Sequence, residues 1–133
     1  MIVSFNSFLM AGALACALAA PALALAEDGG DLFAQNCAAC HQPKGEGVAG
    51  AFPPLAGNRF VQGDPKGPAY IVTHGRGGMP NFSGDLDDAQ ISKILTYVRT
   101  SWGNTAGPLP PETVAAVRGA TEAPSFQSGL PAH

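Results

Sequence analysis

The chain has 133 residues, 10 acidic and 7 basic side chains, a formal net charge of −3 and 46% hydrophobic residues. That length suits one small domain and no more. The mild acidity excludes nucleic acid as a partner, and no basic run points to any other polyanion.

Residues 1–26 read as a secretory signal. An apolar run from Phe8 to Ala20 leads to Pro21 and the small-x-small site Ala24-Leu25-Ala26. No Lys or Arg precedes the run, so the initiator amine supplies the positive end. An uncleaved membrane anchor is the competing reading, but the run is shorter than the ~20 residues a spanning helix needs. The expected product is a periplasmic protein starting at Glu27, with no membrane contact after cleavage. Cys16 leaves with the signal, and Cys37 and Cys40 are the cysteines that remain.

The first expected helix runs from Asp28 or Gly29 to Ala39, with Asp28 as cap. Leu32, Phe33, Cys37, Cys40 and His41 recur along it at helical spacing. Residues 42–59 are rich in glycine and proline and predict a long irregular loop, the kind that wraps something or carries function. Asp64-Pro65 reads as a cap and first helical position, opening a helix through Ala69, Ile71 and Val72 that stops at Gly75. Gly75 to Phe82 is a second irregular loop. Asp87 and Gln90 form a capping-box pattern for the clearest helix. Ile91, Ile94, Leu95, Val98 and Trp102 line one face of it, and Gly103 ends it. Pro110-Pro111 precede a short helix, Glu112 to Arg118. Gly119 to His133 lacks periodicity and predicts a flexible tail. The expected organisation is a signal over 1–26, a domain over 27–103, an extension with one short helix over 104–118 and a tail over 119–133. The class is all-α, with no internal repeat.

The chemistry concentrates in Cys37-Ala38-Ala39-Cys40-His41. On a helix, positions i, i+3 and i+4 share a face. Both cysteines can then reach adjacent vinyl groups of a haem while His41 points at the iron, and the motif reads as c-type haem attachment. Two other readings compete. A structural zinc site needs four ligands, and no second cysteine pair remains. A thioredoxin-like redox pair needs a βαβ context, and no strand precedes this helix.

From Leu32 to Gly103 the chain resembles the small class I cytochromes c of bacteria. The matching segments are Leu32 to His41, Phe52-Pro-Pro-Leu-Ala-Gly-Asn58, Gly78-Met-Pro80 and the helix from Ile91 to Trp102. Within that class it looks most like the monohaem modules that accompany periplasmic dehydrogenases and oxidases. The resemblance implies a cytochrome c fold: three core helices and long loops wrapped around one covalent haem c, with crossing N- and C-terminal helices. Gly29, Phe33 and Cys37 would meet Ile94 and Tyr97 at that crossing.

The resemblance also implies that Met79, in its glycine-rich loop, is the second axial ligand opposite His41. The competing readings are Met79 as core filler and His74 as the ligand. Met ligation raises the reduction potential relative to bis-His ligation and suits electron transfer. By the same resemblance, the Pro53 carbonyl accepts the His41 Nδ1–H bond that orients the ring, and Leu55 packs on the haem. Arg59 is the best-placed propionate donor, with Asn58, Tyr70 and Trp102 behind it.

With both axial positions filled, oxygen chemistry has no open site. The expected function is one-electron carriage between redox partners (a dehydrogenase, an oxidase or another cytochrome) by Fe(III)/Fe(II) cycling, and the chain is not an enzyme. Two alternatives stand beside it: a bound cytochrome subunit of a dehydrogenase or oxidase complex, and a haem enzyme or gas sensor with displaceable Met79. Lys44, Lys66 and Arg76 are assigned to docking at the haem rim. Charge reversal of all three is expected to slow electron transfer to the physiological partner; an unchanged rate in stopped-flow mixing would sink that assignment.

Overall fold

The computed structural model describes residues 27–125. The expected signal over 1–26 and the distal part of the expected tail, with His133, lie outside the described residues. Among the described residues six helices follow one another: α1 (Gly29–Asn36), α2 (Ala38–His41), α3 (Arg59–Gln62), α4 (Lys66–His74), α5 (Asp88–Thr100) and α6 (Pro111–Arg118). Among the described residues there is no strand, only isolated bridges between Val48 and Phe52 and between Arg76 and Met79.

The expected first helix is present but broken. Cys37 adopts φ −123° and ψ −33°, separating α1 from α2. The ladder nevertheless carries through, because the Cys37 N–H donates to Phe33 O at 2.9 Å and the His41 N–H to Cys37 O at 2.9 Å. The break re-aims the turn that bears Cys40 and His41. Asp28 caps α1 by accepting from the Asp31 N–H at 2.9 Å.

Asp64 serves α4 from one position further out than expected, accepting from the Lys66 N–H at 2.9 Å. The capping box of α5 is complete. Asp87 accepts from the Gln90 N–H, and the Gln90 side chain accepts from the Asp87 N–H. This helix stops at Thr100 rather than Trp102. Trp102 takes φ 54° and Gly103 φ 86°, so the chain reverses there. The four-residue α3 inside the loop region was not expected; it forms because Asn58 caps it.

The core joins Leu32 and Phe33 of α1 to Ile91, Ile94, Leu95 and Val98 of α5, with Val61, Ala69 and Val72 from α3 and α4. The α1–α5 crossing is close. A Cβ on Gly29 would overlap the Lys93 carbonyl and come within 2.9 Å of Tyr97 Cβ, so only glycine permits this approach. Phe33, Tyr97 and Trp102 pack their rings around it, with centroids 5.1–5.6 Å apart.

Residues 104–118 do not lie apart from this core. Leu109, Val114 and Val117 are as buried as the residues of α5, and α6 packs on α4 and α5. Val114 is fully buried. Val114→Ala should therefore cost about 2 kcal/mol, the range for removing buried methyls from a packed site. Urea unfolding of the holoprotein checks it, with a lowered midpoint and an unchanged slope.

Candidate functional site

The site starts from one helical turn. In α2, the Cys40 N–H and His41 N–H both fold back on Cys37 O, at 3.2 and 2.9 Å. This places Cys37, Cys40 and His41 on adjacent edges of the same turn. Cys37 is half-buried against the core, Cys40 is exposed, and His41 is buried at 9% exposure.

His41 Nδ1 lies 3.0 Å from Pro53 O. A carbonyl can only accept, so Nδ1 carries the proton and Nε2 carries the free lone pair. Among the described residues nothing hydrogen-bonds to Nε2. A buried imidazole oriented through one nitrogen, with the other left as a bare acceptor, is the arrangement of a metal-ligating histidine.

The loop that delivers Pro53 is pinned at several points. The Gly47 N–H donates to His41 O at 2.9 Å, and Val48 and Phe52 exchange backbone bonds at 2.8 Å in both directions. A Cβ on Gly47, which sits at φ 66°, would come within 2.7 Å of the Pro53 carbonyl carbon. The Leu55 and Ala56 N–H groups both donate to Gly45 O, at 2.7 and 3.0 Å. Leu55 is half-buried against the core.

Asn104, which sequence reasoning missed, holds the far side of this loop. Only 4% exposed, it accepts from the Gly57 N–H at 2.8 Å and donates to Leu55 O at 3.0 Å and Val98 O at 2.8 Å. Its partners lie 6 to 49 residues away, so no local pattern could have announced it.

Met79 lies on its own loop, half-buried against the same core. Arg76 and Met79 close the tip with reciprocal backbone bonds of 3.1 and 2.9 Å. Gly75 and Gly77 take positive φ, as the glycine content suggests, whereas Gly78 does not.

The other candidates divide. Arg59 opens α3 with an exposed side chain. Asn58 serves as the α3 cap, accepting from the Phe60 and Val61 N–H groups through Oδ1 and donating one Nδ2 N–H to Pro54 O, which leaves its second amide N–H as a donor. Tyr70 stacks on His74 with ring centroids 3.9 Å apart. Trp102 packs on Phe33 and Tyr97. His74 has both ring nitrogens engaged: Nε2 with Ala120 O at 2.9 Å, and Nδ1 with Thr73 Oγ1 and Tyr70 O. The competing reading of His74 as an axial ligand therefore loses its donor atom. Lys44 and Lys66 are exposed and Arg76 is half-buried.

The electrostatics bear on the competing readings of the cysteines. Burial, and to a lesser degree Cys40, push the Cys37 thiol up to about 11. A reactive redox thiolate needs the opposite shift. Among the described residues no group of three or more His, Cys, Asp or Glu side chains is arranged to hold a metal ion. A neutral, half-buried thiol beside an exposed one suits a covalent thioether pair.

The family model described as cytochrome c oxidase, cbb3-type, subunit III matches residues 24–98. The chain belongs to the cytochrome c family. A quinone alcohol dehydrogenase cytochrome c subunit of Gluconacetobacter polyoxogenes is 38% identical over 100 residues, covering 66% of this chain and 20% of that protein. The chain thus spans about a fifth of the length of the dehydrogenase subunits it matches. Cytochrome c-552 of Thermus thermophilus is 34% identical over 113 residues, 74% of this chain and 70% of that one. The solved cytochrome c6C of Synechococcus aligns with a TM-score of 0.50 at 23% identity, over 59% of this chain and all of the other, which shows the fold. The all-α cytochrome c fold and a covalent haem c follow from membership.

Asn104→Ala would strand the Gly57 N–H and leave two carbonyls, one of them buried, short of a donor. It should lower stability by about 2–3 kcal/mol, measured by thermal unfolding of the holoprotein beside the exposed control Thr105→Ala.

Proposed function

We propose that Cys37 and Cys40 would hold the haem through thioethers, that His41 and Met79 would supply its two protein iron ligands, and that the protein passes single electrons between redox partners. The observation that carries this reading is the buried His41, whose Nδ1 is committed to Pro53 O at 3.0 Å and whose Nε2 is left as a lone-pair donor. When bound, the haem supplies a reversible Fe(III)/Fe(II) couple.

The chain's own residues do the rest. The Pro53 carbonyl fixes the His41 tautomer and raises its basicity. Met79 presents a soft thioether, which favours the reduced state. Leu55 and Trp102, both packed against the core, exclude water from the cofactor. Arg59 is assigned to a propionate through its exposed guanidinium. Two retained protein ligands, His41 and Met79, would keep reorganisation small and would leave oxygen no open position.

Export through residues 1–26 would place the protein in the periplasm, where residues 27–103 would form the haem-bearing unit with 104–118 packed on it. Among the described residues no helix is long and apolar enough to cross a membrane. The second reading, a bound subunit of a dehydrogenase or oxidase, draws on the 38% identity to a dehydrogenase cytochrome subunit. Copurification in a stable complex from solubilised cells separates it from a free carrier, which would appear in the osmotic-shock fraction.

The axial assignment is tested by spectroscopy. The oxidised protein should show the weak long-wavelength charge-transfer band of thioether-ligated iron, and the reduced protein should not bind CO at neutral pH. Met79→Ala should abolish the band, admit CO and lower the potential by ~100 mV or more. CO binding by the unaltered protein would overturn the carrier reading in favour of a sensor or haem enzyme.

A further inference from the structure

Arg118 lies outside residues 24–98, the part that the family model matches, yet its guanidinium is spent on the chain that follows Met79. Nη1 donates to Ser83 O at 2.8 Å and Nη2 to Leu86 O at 3.0 Å, while Nε donates to Asp88 Oδ1 at 2.6 Å. The ion pair itself is partly solvated, with the two side chains 26% and 35% exposed, so its own contribution is small. The two bonds to carbonyls carry more, because a charged donor strengthens them and a planar fork fixes their geometry.

The other end of the same loop is tied to the same segment. His74, the last residue of α4, reaches Ala120 O through Nε2 at 2.9 Å. Between these ties α6 is anchored in the core by Val114 and Val117. The segment 111–120 therefore bridges the entry and the exit of the loop that carries Met79. Within the loop, Ser83 Oγ donates to Thr73 O at 2.5 Å and the Phe82 N–H to Val72 O at 3.0 Å. These bonds tie the loop's exit back to α4, and the 111–120 segment adds a second, independent fastening.

We infer that Arg118 is a positioning residue for Met79. Its fork on Ser83 O and Leu86 O, with the His74–Ala120 tie, clamps the Met79 loop from outside and sets how readily the thioether leaves the iron. This rests on the proposed ligation by Met79. Local opening of a loop is governed by the bonds that open with it, so removing the fork raises the open population while the rest of the core stays folded.

The experiment uses the full holoprotein and reads the long-wavelength band of the oxidised form and CO binding by the reduced form. Arg118→Ala should weaken the band and speed CO uptake about tenfold or more, the loss expected for two charge-assisted hydrogen bonds. Asp88→Asn keeps an acceptor for Nε and should change uptake by less than about twofold. Leu32→Val weakens the core from α1 and should leave uptake at the wild-type level, which a merely structural role for Arg118 would not predict. Should Arg118→Ala fail to accumulate, Arg118→Lys keeps the charge without the fork and should fall between wild type and the band-less Met79→Ala.

A band and CO response unchanged in Arg118→Ala, or in Arg118→Lys if only that variant accumulates, would overturn the clamp alone. Equal effects of Arg118→Ala and Asp88→Asn would overturn the assignment to the carbonyl bonds. A wild-type protein lacking the band would overturn the Met79 ligation first and the clamp with it.

Discussion

The bond between His41 Nδ1 and Pro53 O joins two residues twelve positions apart, and much of the molecule is arranged to keep it. The helix break at Cys37 turns the imidazole toward the loop. The bonds from Gly47 to His41 and from Leu55 and Ala56 to Gly45 fold that loop back over α2. Asn104 then fastens the loop to the end of α5, and α5 is seated on α1 through Gly29. A change at any of these points alters the direction in which one ring nitrogen faces. Since the other nitrogen is the proposed iron donor, ligand geometry and loop packing are one problem here.

Short helices and long loops leave many backbone carbonyls without partners, and a small core cannot hide them cheaply. Three side chains meet much of that demand. Asn104 serves the loop before α3. Arg118 serves the loop before α5. Arg99, 5% exposed, donates to Val61 O at 2.6 Å, Gly63 O at 3.0 Å and Gly107 O at 3.1 Å. Burial lowers the Arg99 pKa from its ordinary value, and the field of Asp64 acts against that shift. An arginine paired with carbonyls instead of a carboxylate is tolerated because its Nε and Nη1 N–H groups are all answered by acceptors.

The features legible in the sequence were those with local causes. The Asp28 cap, the Asp87–Gln90 box, the apolar face of α5 and the Cys-x-x-Cys-His turn are all set by neighbours within four or five residues. The Gly29 approach was legible because spacing by four placed it on the face of Phe33. The features that escaped depend on distant partners. Nothing near Asn58 says that its side chain caps a helix of only four residues. Nothing near His74 says that Ala120 takes its Nε2. The end of α5 was misplaced by two residues because the apolar period continues to Trp102, while the backbone turns at Ser101 so that this indole can pack on Phe33. The weight of Leu109, Val114 and Val117 in the core was also hidden, since a Pro-flanked short helix after a glycine reads as an appendage.

The return of the chain from Gly103 to Pro110 has one further consequence. Leu109 has both backbone groups answered from α5: its N–H donates to Thr96 Oγ1 at 3.0 Å, and its carbonyl accepts from Ser92 Oγ at 2.6 Å. Arg99 takes Gly107 O from the same helix. Ser92, Thr96 and Arg99 stand at intervals of four and three, one stripe of the helix. They hold the passing strand of chain much as a β-strand holds its neighbour, with two hydroxyls and a guanidinium in place of peptide groups. Because the stripe is not periodic along an extended chain, the alignment cannot slip by one residue and find equivalent partners. The register of α6, and of everything fastened to it, is therefore keyed by this one stripe of α5.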